Sequence, residues 1–153
     1  MTKLLGISGS LRRGSHNSAL LRVATRLMPP EATLAVASIR GIPLYDYDVE
    51  VQGLPAAVSQ LKDAVVAADG VLLVTPEYNN SIPGVFKNAI DWLSRPSSDI
   101  KRVFGGRLTV ARAASVFDES GMLKDAAIEE QLRQFLAGYV SFVRRHARET
   151  RGA

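Results

Sequence analysis

The residues that most plainly offer chemistry sit in one stretch, Gly6-Ile-Ser-Gly-Ser-Leu-Arg-Arg-Gly-Ser-His-Asn-Ser18. Ser10, Ser15, Asn17 and Ser18 supply side-chain hydrogen bonds, the glycines let backbone N–H groups turn inward, and Arg12 adds a charge-assisted bond. That combination suits an anion. The spelling argues against three better-known chemistries. There is no Gly-Lys-Ser/Thr ending for a nucleoside triphosphate and no G-x-G-x-x-G fingerprint, and Gly6-Ile-Ser-Gly-Ser10 lacks the last glycine of a nucleophile elbow. Ser8 therefore reads as structural. The alternative for the whole stretch is an ordinary N-cap turn, in which Ser15 or Asn17 satisfies only helix N–H groups.

A second polar stretch, Pro76-Glu-Tyr-Asn-Asn-Ser-Ile-Pro83, has a different character. Its two prolines stiffen it, and Tyr78, Asn79 and the backbone between them suit the face and edge of a flat ring system. The alternative is that Pro76 and Asn79-Asn80 only form a turn and Tyr78 covers the core edge. Taken together, the two stretches fit a small planar ligand with a phosphate tail. No catalytic acid–base pair or nucleophile stands out. With no cysteine in the chain, thiolate chemistry and disulfides are excluded. The two histidines, His16 and His146, are far apart in sequence and read as solvated loop or tail residues, so no metal site is expected.

These stretches must be positioned by regular elements, and the hydrophobic pattern supplies them. Lys3 to Ser8 is a short apolar run of the kind found in a buried central strand. Leu20, Leu21, Ala24, Leu27 and Met28 recur at helical spacing until Pro29-Pro30. Thr33 to Ile39 predicts a second strand, Val58, Leu61, Val65 and Ala68 a helix beginning near Pro55, and Gly70 to Thr75 a third strand. A helix over about Gly84 to Leu93 buries Phe86, Ala89, Ile90 and Leu93, and Arg107 to Ala113 predicts one more strand. Asp118 to Gly121 forms a turn, and Ile128 through Val143 predicts a long amphipathic last helix. Such β-α alternation specifies an α/β fold: a doubly wound parallel sheet with helices on both faces. In the flavodoxin-like strand order the loops after strands one and three share a crevice.

With 153 residues, 46% apolar and 22% charged, the chain is sized as one domain over 1–153. The net charge of +4 comes largely from the basic tail 144–153, with Arg144, Arg145, Arg148 and Arg151. Without interleaved aromatics or a recognition motif this tail reads as a solvated helix end, and no nucleic-acid partner is expected. No apolar run spans a membrane and no signal-peptide pattern is seen, so a cytoplasmic protein without a membrane partner is expected.

Three segments, Gly9 to Asn17, Ile42-Pro-Leu-Tyr-Asp46 and Thr75 through Ser94, strongly resemble the NADPH-dependent FMN reductase family, which includes quinone, chromate and azo-dye reductases. The resemblance implies that Ser10, Arg12, Ser15 and Asn17 hold the phosphate of FMN, with Leu11, Ser18 and nearby backbone beside them. Pro76, Glu77, Tyr78 and Asn79 would then border the isoalloxazine ring. It also implies NADPH or NADH as the electron donor, a quinone-like or other small molecule as acceptor, and a homodimer or homotetramer whose contact includes Val85, Asp91 and Trp92.

The chain departs from the family after the helix ending near Leu93. Gly105-Gly-Arg-Leu-Thr-Val-Ala-Arg-Ala113 resembles the family's last strand, so a strand, a flavin-facing loop and a helix, together roughly 30 residues or more, are absent. An in-frame deletion near 105–107 is one origin for this; the other is a segment present in the full protein and absent from this sequence. The expectation is a sheet reduced to four strands in the order 2-1-3-4, a flavin site short of one wall, and weakened FMN affinity. A non-enzymatic flavin-binding or electron-carrier module and a truncated relative with weak or no activity are the alternatives to an enzyme.

Overall fold

The structure is a computed structural model that describes residues 1–95, 108–110 and 112–149. Strand β1 (Thr2–Ser8) lies at the centre of a parallel sheet, between β2 (Ala32–Ala37) and β3 (Gly70–Val74). Leu4 pairs in register with Leu34 on one side and Gly70 on the other. Because β1 is buried on both faces, its side chains divide between two cores. Leu4 packs with Leu21, Ala24, Leu72 and the last helix, whereas Leu5 and Ile7 pack with Leu61, Val65, Phe86 and Ala89.

Those cores are closed by helices on both faces of the sheet, two of them lying within the connections that join the parallel strands. On one face lie α1 (His16–Arg26) and, numbering on, α6 (Ala126–Glu149). On the other lie α3 (Ala56–Val66) and α4 (Gly84–Leu93). Helix α4 has the predicted bounds, since Pro83 suits a helix start and the chain turns off after Leu93 at Ser94. Helix α1 begins at His16, where Ser15 caps it by accepting from Ser18 N. The arrangement is a flavodoxin-like α/β fold, doubly wound as expected.

The structure corrects the sequence reading in four places. First, the described residues form three strands, in the order 2-1-3. Leu108–Val110 carry no strand pairing and pack irregularly against the α1/α6 core, and Arg112 (φ 48°) turns the chain into α5 (Ala113–Val116). Arg107, Ala111, the junction near 105–107 and the tail beyond residue 149 lie outside the described residues. Second, α2 (Tyr47–Gln52) is an additional helix. It buries none of its residues and is nucleated by Asp46, whose carboxylate accepts from Asp48 N at 2.9 Å. Third, His16 is not a solvated loop residue, since it opens α1 and its ring stacks on Phe117 with centroids 5.6 Å apart. His146 does lie exposed on α6, its ring against Phe142.

The fourth correction concerns Trp92. Far from offering a surface to a second chain, it is fully buried within its own, its indole N–H donating to Pro43 O at 2.9 Å and its ring meeting Tyr45 edge-on. The Tyr45 hydroxyl, donating to Glu50, has its pKa raised by that bond. At the far end of the chain, Asp118 accepts from Ser120 Oγ and Met122 N, which hold its carboxyl below the ordinary carboxylate range and fix the 118–122 turn. Trp92→Ala leaves a cavity and removes one of the two donors to the Pro43 carbonyl, Asn88 Nδ2 keeping the other at 2.8 Å. A loss of about 3–5 kcal/mol in denaturant-induced unfolding is expected, and a loss under 1 kcal/mol would contradict this account of the core.

Candidate functional site

The two polar stretches meet at the carboxyl end of the sheet. Gly9 N donates to Val74 O at 2.7 Å, so the loop leaving β1 and the loop leaving β3 start from one tied point. A side chain at position 9 has no room: a Cβ there would lie 2.8 Å from both Phe86 Cδ1 and Thr75 Oγ1. The glycine is required by close approach of neighbouring atoms.

Beyond Gly9 the first loop is a chain of serine hydroxyls serving backbone donors. Ser10 N donates to Ser8 Oγ at 3.4 Å, Arg12 N to Ser10 Oγ at 3.4 Å, and Ser18 N to Ser15 Oγ at 3.3 Å. Ser18 Oγ donates to Ser8 Oγ at 3.2 Å. All four exceed the usual lengths, so these donors are weakly held and a stronger acceptor can take them. The first turn of α1 holds no acidic residue, and its N-terminus points into the loop.

The second loop closes on itself. Tyr78 N donates to Ser81 O at 2.8 Å and Ser81 N returns a bond to Tyr78 O at 2.9 Å. Asn79 (φ 52°) and Asn80 (φ 58°) between them both take left-handed conformations, which Asn tolerates far better than most residues. Tyr78 stands 59% exposed at the rim, a large aromatic face offered to the crevice.

Between the loops lies a cavity of about 870 Å³. Ser10, Arg12, Ser15 and Asn17 line it from one side, and Pro76, Glu77 and Tyr78 from the other. Three expected residues are not on its wall. Leu11 is exposed with its carbonyl held by Arg40, Ser18 in the first turn of α1 donates to Ser8, and Asn79 lies off the cavity lining. Asn80, Ser81 and Ile82 line the cavity instead. His16, Arg112, Phe117 and the α6 residues Leu132, Phe135 and Tyr139 also line it, and no local sequence pattern marks them. Tyr139 donates to Val71 O at 2.8 Å, on a strand that no other strand flanks on its outer side among the described residues.

The donor set fits FMN: weakly held N–H groups, an arginine and a helix N-terminus for a phosphate, with a rigid turn bearing Tyr78 for a flat ring. Among the described residues no cluster of three or more His, Asp or Glu is placed to hold a metal, and no helix is long and apolar enough to cross a membrane.

A flavodoxin-like sheet with a serine-rich loop after β1 and an aromatic turn after β3 suits a flavin, and comparison with known proteins gives the class as flavin-dependent oxidoreductases. Residues 2–147 match the model of the NADPH-dependent FMN reductase family, and the chain belongs to that family, whose cofactor is FMN and whose electron donor is NAD(P)H. The chain is 47% identical over 134 residues to the NAD(P)H-dependent FMN reductase PA1204 of Pseudomonas aeruginosa, covering 88% of this chain and 69% of that protein. It is 40% identical over 137 residues to a quinone reductase of Escherichia coli, with the same coverage. In fold it is similar to FerB, a flavoenzyme NAD(P)H:(acceptor) oxidoreductase from Paracoccus denitrificans, with a TM-score of 0.81 and 24% identity over 95% of this chain and 99% of that one.

Gly9→Ala tests the tied point. Phe86 or Thr75 must shift to admit the methyl, with an expected cost of about 1–3 kcal/mol in thermal or denaturant unfolding. An unchanged midpoint would show that the two loops are not packed against each other as described.

Proposed function

We propose that this chain binds FMN in the cavity between the two loops and works as an NAD(P)H-dependent reductase of a quinone-like, flavin or other small acceptor. The observation that carries this reading is the convergence of a weakly satisfied anion loop and an aromatic turn on one cavity, tied at Gly9 and Val74. Ser10, Arg12, Ser15 and Asn17 hold the phosphate, Arg12 by a charge-assisted bond. Pro76, Glu77 and Tyr78 border the ring, Asn79 shapes the turn from behind, and Leu11 and Ser18 contribute through backbone and loop structure. FMN, when bound, supplies the redox chemistry by accepting a hydride from the nicotinamide and passing the electrons to the acceptor. The protein supplies position, exclusion of water and charge, so no catalytic side chain is required. Arg12, Arg13 and Arg40 around the loop favour approach of an anionic donor.

We further propose that an internal unit following α4 is missing relative to the family, a reading supported by β3 having no strand on its outer side among the described residues. The outer side of β3 then lacks its neighbour, and FMN is held less tightly than by a complete site. Exposed Leu44, Tyr47, Val51 and Val85 support assembly as a homodimer or homotetramer.

The test is to add FMN to the purified protein, record the bound-flavin spectrum, and follow NADPH and NADH oxidation with and without a quinone. Acceptor-dependent turnover is expected. Flavin binding without NAD(P)H oxidation would instead favour an electron carrier, and no binding at all would overturn the proposal. Arg12→Ala is expected to raise the FMN Kd about tenfold with no change in thermal unfolding, the size of one lost charge-assisted hydrogen bond. Unchanged affinity would remove Arg12 from the site.

A further inference from the structure

Arg40 lies just beyond β2, outside the cavity wall, yet its guanidinium reaches the anion loop. Its Nη2 donates to Leu11 O at 2.7 Å, shorter than any hydrogen bond among the loop's serines. Its own N–H is held by Ser38 Oγ at 3.1 Å, which anchors the base of the side chain at the end of the sheet. The partner carbonyl belongs to the same peptide unit as the Arg12 N–H. In a trans peptide these two groups point in opposite directions, so fixing one fixes the other. Arg40 draws Leu11 O outward, and the Arg12 N–H accordingly faces inward, toward Ser10 Oγ at 3.4 Å. That inward donor is poorly satisfied where it is, and its direction is set before any ligand arrives.

We infer that Arg40 is a positioning residue that pre-aims the Arg12 backbone N–H at a bound phosphate group by pinning the Leu11 carbonyl. The inference rests on the reading of this loop as a phosphate site. A loop left free to rotate about the Leu11–Arg12 peptide must be ordered at the moment of binding, and the pin removes that cost in advance. The effect is confined to the phosphate end of the ligand, which separates it from general support of the fold. Because it acts through direction rather than charge, it also withstands salt, unlike long-range attraction of an anion by an exposed guanidinium.

The test compares wild type with Arg40→Met, which keeps the apolar stem of the side chain. FMN and riboflavin, which share a ring system but differ in the phosphate, are titrated at low and at high salt. An FMN Kd raised about tenfold at both salt concentrations is expected, with riboflavin affinity unchanged and the thermal midpoint retained. Equal losses for both ligands would make Arg40 a general prop, and an FMN loss that vanishes at high salt would make it a plain charge. Either result, or no loss at all, overturns the inference. A separate titration with inorganic phosphate, read at the Arg12 amide resonance, needs no flavin. A saturable shift in wild type that is lost in Arg40→Met is expected, and equal shifts in both, or none in wild type, overturn the inference. A wild-type protein that responds to phosphate but binds no FMN would refute the proposed function and leave the positioning role standing.

Discussion

The hydrogen bond from Gly9 N to Val74 O is the constraint on which the rest of the site depends. It joins the ends of two parallel strands where both chains leave the sheet, and the absence of a side chain at Gly9 lets Phe86 and Thr75 close over it. From this point one chain turns through the serine-rich loop into α1, and the other through the Tyr78–Ser81 turn into α4. The distance between the two loops, and so the width of the crevice, follows from a contact between backbone atoms. The core beneath supports it: Ile7, Phe86 and Ala89 are packed against one another directly under the crossing.

Around that rigid point the site is built from groups that are deliberately under-committed. The serine hydroxyls hold the loop's N–H groups at 3.3–3.4 Å, enough to keep the loop folded and too long to compete with a charged oxygen. On the other side the Asn79–Asn80 turn is fully committed, with reciprocal bonds across it. One wall can thus adapt its hydrogen bonding to a ligand while the other keeps its shape.

Much of this was legible in the sequence because it depends on local chemistry. Pro83 and Ser94 bracket α4, Ser15 caps α1, and the apolar runs at Leu4–Ile7 and Gly70–Val74 identify strands buried on both faces. What escaped depends on contacts between distant parts of the chain. Helix α2 buries nothing and so leaves no periodic trace beyond the Asp46 cap. Leu108 and Val110 alternate like a strand yet find no partner strand, and their apolar side chains are satisfied by packing on the α1/α6 core instead. His16 meets Phe117 only because α5 returns to the mouth of the crevice. Trp92 is covered by the 43–45 segment, which folds over the outer side of α4, so its burial is invisible in the periodicity of the helix itself. Arg40 belongs to the same group, since its role is set by a carbonyl it meets in space.

The burial of Trp92 has a spectroscopic consequence. It is the chain's single tryptophan, so the indole emission of the whole protein comes from one environment: a fully enclosed pocket between α4, Pro43 and Tyr45, on the face of the sheet opposite α1. The wavelength of that emission therefore reports on the docking of the 43–45 segment onto α4. Because the α1/α6 core contains no tryptophan, loosening confined to that face is silent by indole emission, and coincident indole and far-ultraviolet circular dichroism transitions would mark the two faces as one cooperative unit.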